Sequence, residues 1–174
     1  MKWWYIVIIV VILVIILYYF RRNIIRKIKT LQSPYKYFTY DEFDSPDEAG
    51  SGEKYMDREV IRKLDIARDC AGFPFIIVSG YRTKKHNKDV GGVDDSSHTR
   101  IKGTGVDIDY TTKEEMNTIL RCLVKVGFNR YGIRLGASGS SIHIDSDTTK
   151  KQFIYWGYED KKGNYISPPN PWIA

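Results

Sequence analysis

The chain has 174 residues and a net charge of +6, room for one globular domain of ordinary size plus an appendage. The positive charge would suit a nucleic-acid binder, but its distribution excludes that reading. Six of the 27 Lys and Arg, and none of the 21 Asp and Glu, fall in residues 1–30, so the rest is balanced at 21 against 21. A basic excess confined to one end builds no groove for phosphates.

Trp3 to Phe20 is an uncharged run with aromatics at both ends. As a helix it covers about 27 Å, enough to cross the hydrocarbon core, with rings where the interfaces lie. A cleaved signal peptide would have a shorter apolar core and a small-residue cleavage site. Arg21-Arg22-Asn23 follows instead, so residues 1–20 are expected as a retained single-pass N-terminal anchor with lipid as partner, in a cellular or a virion membrane. Five positive charges follow the span and Lys2 alone precedes it. The positive-inside rule would then place the globular domain on the cytoplasmic side, although a virion location or an overridden rule leaves the side open. Residues 21–36 read as a basic linker in which Ile24, Ile25 and Ile28 keep helical spacing until Pro34.

The domain is expected over residues 37–158, with an irregular tail over 159–174. Asp57 is a candidate N-cap for a helix carrying Val60, Ile61, Leu64, Ala67 and Ala71 and stopped by Gly72. Phe75 to Val78 reads as a buried strand that delivers Arg82. Thr83 to Val90 reads as a short helix or turn closed by Gly91-Gly92. Thr112 opens a second helix through a capping box, with Met116, Ile119, Leu120, Leu123 and Val124 as its apolar stripe, ended by Gly127. Tyr131 to Leu135 is a candidate strand, and Gly136 to Ser140 a flexible loop. Phe153, Tyr155 and Trp156 are expected to pack at the domain edge. Cys70 and Cys122 sit on the two helices and have no metal-ligand spacing. They are expected as buried free thiols, a disulfide being the alternative. The fold class is α+β, a small, largely antiparallel sheet with helices on one face.

All three histidines, His86, His98 and His143, fall in or beside two short stretches, Ser79–Asp107 and Ser141–Asp145. Alternation over Val106–Asp109 and Ser141–Asp145 would give two strands a shared apolar face and a shared polar one. The polar face would carry Asp107, Asp109, His143 and Asp145, with His98 arriving from the preceding loop. Two imidazoles and one carboxylate make the open three-ligand arrangement of catalytic zinc. Gly103 and Gly105 would allow backbone or substrate to approach closely.

The order SGYRT, HN, VGG, S-x-H, G-x-G-x-D in the form GTGVD, then IHID resembles the zinc D-alanyl-D-alanine carboxypeptidase family. That family includes phage L-alanyl-D-glutamate endopeptidases and shares the hedgehog/DD-peptidase fold; the likeness is closest to its short phage-type branch. The resemblance covers about residues 37 to 158 and implies a zinc peptidase of bacterial peptidoglycan, acting on stem or crosslink peptides with D-amino acids, in cell-wall passage or lysis by a phage. It implies His98, Asp107 and His143 as zinc ligands and Arg82 as the group that meets substrate carboxylate or oxyanion. His86 and Ser97 are further candidates for substrate contact. Two departures stand out. Four residues, Thr99 to Lys102, separate His98 from Gly103 where the family has two. Ser140 and Ser141 stand where many members carry a catalytic Glu or His. Asp145 is therefore the candidate general base, with support of a metal ligand as its alternative role, and Asp109 is next. A catalytically silent zinc-containing wall-binding module and a structural virion membrane protein are the rival functions.

Overall fold

The computed structural model describes residues 3–134 and 140–157, the side chains of 26–32 excepted. The chain falls into two compact units, Met1–Thr39 and Tyr40–Ala174. The first contains α1 (Trp3–Gln32), one continuous helix. Its Trp3–Ile25 segment is long and apolar enough to cross a membrane. The helix stops just short of Pro34, whose ring disfavours helical backbone in the residue before it.

The second unit is α+β. Its helices are α2 (Ser51–Tyr55), α3 (Arg58–Ala71), α4 (Lys84–Asp89) and α5 (Lys113–Lys125). Its strands are β1 (Ile77–Ser79), β2 (Gly105–Asp109), β3 (Arg130–Arg134), β4 (Ser141–Asp145) and β5 (Ile154–Gly157), in the order β1-β2-β4-β3-β5. All pairings are antiparallel except β3 with β5. The helix ends follow their local chemistry. Asp57 accepts from the Glu59 N–H, and Gly72 closes α3 in the left-handed region. Thr112 accepts from the Glu115 N–H at the start of α5, and the Glu115 carboxylate accepts from the Thr111 N–H and hydroxyl.

β2 and β4 pair so that Val106 lies opposite Ile144 and Ile108 opposite Ile142. These four are fully buried, with Ile61, Leu64, Ala67, Ile119 and Leu123 of α3 and α5. The period-two alternation therefore sends one face of the central strands into the core. It leaves Asp107 and His143 side by side on the other.

Three expectations need correction. Phe75–Val78 is not a buried strand: β1 is an edge strand, and Ile76 and Val78 are exposed while Phe75 alone is buried. Phe153, expected to pack at the domain edge, is largely exposed there, with a left-handed backbone just before β5. The cysteines are not free: Cys70 and Cys122 form a disulfide with Cα atoms 5.8 Å apart. Cys70 lies at the exposed end of α3, where α3 runs beside α5. A reading of each helix alone cannot see that approach. The bond closes a loop of 52 residues in sequence, which on chain entropy stabilises the fold by about 4 kcal/mol. The Cys70→Ser/Cys122→Ser variant, unfolded in denaturant, is expected to lose an amount of that order, and reductant should then no longer shift its midpoint. The Gly136–Ser140 loop, save Ser140 itself, and the tail from 159 lie outside the described residues.

Candidate metal centre

Asp107 and His143 are direct cross-strand neighbours on β2 and β4. His143 Nδ1 lies 2.8 Å from Asp107 Oδ1. His98 comes from a single 3-10 turn, Ser97–Thr99, capped by Ser96. Its Nε2 lies 3.1 Å from His143 Nδ1 and 3.3 Å from Asp107 Oδ1. Three potential ligand atoms thus converge on one point. Around tetrahedral zinc with bonds of about 2.0–2.2 Å, ligand atoms stand roughly 3.3–3.5 Å apart. The triangle is only a few tenths of an ångström tighter than that, and the donor set fits the ion.

The supports around the triangle are as specific. His98 Nδ1 donates to the Gly80 carbonyl at 2.6 Å, which fixes the tautomer and leaves Nε2 free to ligate. Gly105 makes room for this loop: a Cβ there would sit 3.0 Å from the His98 backbone nitrogen. The four residues between His98 and Gly103 do not displace the histidine. They bend outward, with Ile101 exposed and Lys102 in the left-handed region. Arg100 forms an ion pair with Asp147, Nε to Oδ2 2.6 Å, without hydrogen-bond geometry between the two atoms.

Arg82 follows β1. Its backbone N–H donates to the His98 carbonyl, its Nε to Ser79 Oγ, and its Nη2 to Asp107 Oδ2 at 2.5 Å. It therefore holds the carboxylate oxygen that does not face the histidines. Asp145 is buried, 1% exposed. Its Oδ1 accepts from Arg130 Nε at 2.7 Å and from the Asp147 N–H, and its Oδ2 lies 3.4 Å from His143 Nε2.

These contacts set the protonation states. Burial alone would depress His143, but hydrogen bonds to Asp107 and Asp145 outweigh it and raise the imidazole to about 9. Burial dominates at His98 and lowers it despite Asp107. Asp107 is held well below the usual carboxylate range, because the charges and hydrogen bonds of both histidines overcome its burial. Metal-free His143 thus keeps its proton at neutral pH, and ligation at Nδ1 must expel it. Zinc affinity is therefore expected to rise about tenfold per pH unit from near neutrality until about pH 9 and then to level off. Competition against a chromophoric chelator across that range checks this, and a flat profile would contradict it.

The triangle opens onto a cavity of about 430 Å³ lined in part by Arg82, Ser96, Ser97, Arg130, Arg134, Ser141, Lys150 and Trp156. Of the sequence candidates, Arg82, Ser97, Asp145 and the three ligand residues are brought together here. His86 is on α4, where its backbone N–H meets Thr83, and does not line the cavity. Asp109 shares the Asp107 face but lies opposite Ser141, outside the lining. Sequence reasoning missed Arg130, Arg134 and Trp156. The two arginines flank Gly132 at strand spacing, a signal that the expected strand start at Tyr131 cut in half. Trp156 lies over Gly132, where a Cβ would meet its indole at 2.7 Å, and its ring is 5.7 Å from that of His143. No motif marks it.

A family model described as peptidase M15 matches residues 36–145. No curated protein and no solved structure matches the chain. The matched stretch is more than half of the sequence and contains His98, Asp107, His143 and the strands that carry the last two. The chain belongs to the peptidase M15 family of zinc peptidases.

Proposed function

We propose that this protein hydrolyses peptide bonds in bacterial peptidoglycan, in stem or crosslink peptides containing D-amino acids, while anchored by residues 3–20 to a cellular or virion membrane. The observation that carries the reading is the His98–Asp107–His143 triangle at the wall of an open, cation-lined cavity. Stem peptides are rich in free carboxylates, which such walls attract. The Cys70–Cys122 bridge favours an oxidising compartment. It therefore argues for the outer side of the membrane, where the wall lies, against the charge rule.

Zinc held by the three ligands would polarise the scissile carbonyl and lower the pKa of its water. Arg82 has donors to spare beyond those on Asp107 and Ser79 and would turn one to the oxygen on which charge develops. Asp145 would hold His143 from its far ring edge rather than accept the proton of the water. Both its oxygens are occupied, and it faces Nε2, away from the converging Nδ1. Ser97 would meet the substrate backbone at the cavity wall.

The second reading, a silent zinc-holding wall-binding module, is favoured by Ser140 and Ser141, which stand where many family members carry a catalytic Glu or His. Full-length protein in detergent, loaded with zinc and incubated with purified peptidoglycan, separates the two. New amino groups that vanish with chelator and return with zinc support the peptidase. Zinc binding without release supports the module, and failure to bind zinc would sink both.

A further inference from the structure

Four cationic side chains line the cavity: Arg82, Arg130, Arg134 and Lys150. Three are engaged. Arg82 holds Asp107 and Ser79. Arg130 holds Asp145 and the Lys151 carbonyl. Lys150 donates to the Asp95 carbonyl and lies 3.8 Å from its carboxylate. Arg134 is exposed, and among the described residues no carboxylate reaches it.

Its backbone is nevertheless fixed. Arg134 pairs with Ser141 in the sheet, and its carbonyl accepts from Tyr110 Oη at 3.1 Å. The three residues before it on β3 are buried. Gly132 lies opposite His143, so period-two alternation puts Arg134 on the face of the metal triangle, two residues and about 7 Å further along the strand. Arg82 reaches the triangle from the β1 side, and Arg134 flanks it from the β3 side. A guanidinium on a paired strand end, lining a cavity and met by no carboxylate among the described residues, is well placed to bind one.

We infer that Arg134 is a specificity-determining residue that binds a carboxylate of the peptide substrate on the β3 side of the metal centre. The inference rests on the peptidase reading for its substrate, but its test does not depend on turnover. The carboxylate belongs either to an acidic residue within the peptide or to its C-terminus. Zinc-loaded full-length protein and the Arg134→Gln variant are titrated with three probes. These are the pentapeptide L-Ala-γ-D-Glu-L-Lys-D-Ala-D-Ala, the same peptide with the D-Glu α-carboxylate amidated, and the same peptide with a C-terminal amide. Intrinsic fluorescence, with Trp156 in the cavity wall, reports binding, and turnover is followed in parallel.

One of the two amidations is expected to weaken wild-type binding about tenfold, the scale of a lost charged hydrogen bond. The variant should bind the unmodified pentapeptide equally weakly and lose nothing more from that amidation. Which amidation behaves so identifies the source of the carboxylate. Where turnover occurs, KM should rise and kcat hold. Selective binding without turnover would overturn the peptidase reading and leave Arg134 its role. Unaltered affinity in the variant, equal losses in both proteins, or no peptide binding by the wild type would overturn the inference.

Discussion

His143→Ala, and separately Asp107→Ala, are expected to remove zinc binding at micromolar metal and, with it, any hydrolysis. Each deletes one of three convergent donors, and a two-ligand remnant holds zinc poorly. The loss should exceed about 100-fold, the upper range for residues that merely support ligands. Metal content after dialysis, measured beside amino-group release, checks both halves. The two variants differ in stability without metal. Asp107→Ala leaves His98 and His143 facing each other at 3.1 Å and Arg82 without its carboxylate. His143→Ala leaves Arg82 and Asp107 paired. The first should be the less stable apoprotein, and the reverse order would show that the Arg82–Asp107 pair is not a support of the site.

Asp145→Asn separates two roles for one carboxylate. As a support for His143, its loss should reduce zinc affinity by about 10- to 100-fold. As a general base it would leave zinc in place and cut kcat by about 100- to 10,000-fold. The geometry favours the first. Arg130 is 7% exposed, so neutralising Asp145 also leaves a buried guanidinium without its counter-charge, at a cost of up to about 3–5 kcal/mol. The double variant Asp145→Asn/Arg130→Met should therefore recover most of the stability but not the zinc affinity. The pH response follows from the same contacts. Burial would raise Asp145, but His143, the Asp147 N–H and Arg130 outweigh it and hold it at about 2. A depressed carboxylate stabilises the fold above its unfolded pKa, about 3.9. That contribution fades as pH falls toward 2. Wild type should therefore lose stability over this acid window, and Asp145→Asn should lose less there.

Much of the site was legible because its parts are local and periodic. GTGVD and IHID are short alternating strands, and alternation alone puts Asp107 and His143 on the face opposite Val106 and Ile144. Asp57, Gly72 and Thr112 announce helix ends through chemistry that acts within a few residues. The uncharged run from Trp3 to Phe20 is likewise a property of composition.

What composition and spacing could not reach are relations between segments distant along the chain. The Cys70–Cys122 bond depends on how α3 lies along α5. The exposure of Ile76 and Val78 depends on β1 being at the sheet edge. Whether Asp145 faces the reacting side or the far edge of His143 depends on the ring nitrogen turned toward Asp107, and so on pairing, rotamer and Arg130 together. Arg134 and Trp156 enter the cavity only because β5 pairs parallel to β3 and β3 pairs with β4. Sequence alone determined which side chains could bind a metal and which strand faces carry them, since those follow from residue chemistry and a two-residue repeat. Tertiary structure decided which groups surround the metal triangle and which arginine lines the cavity with no carboxylate on it among the described residues, since those turn on distances set by packing.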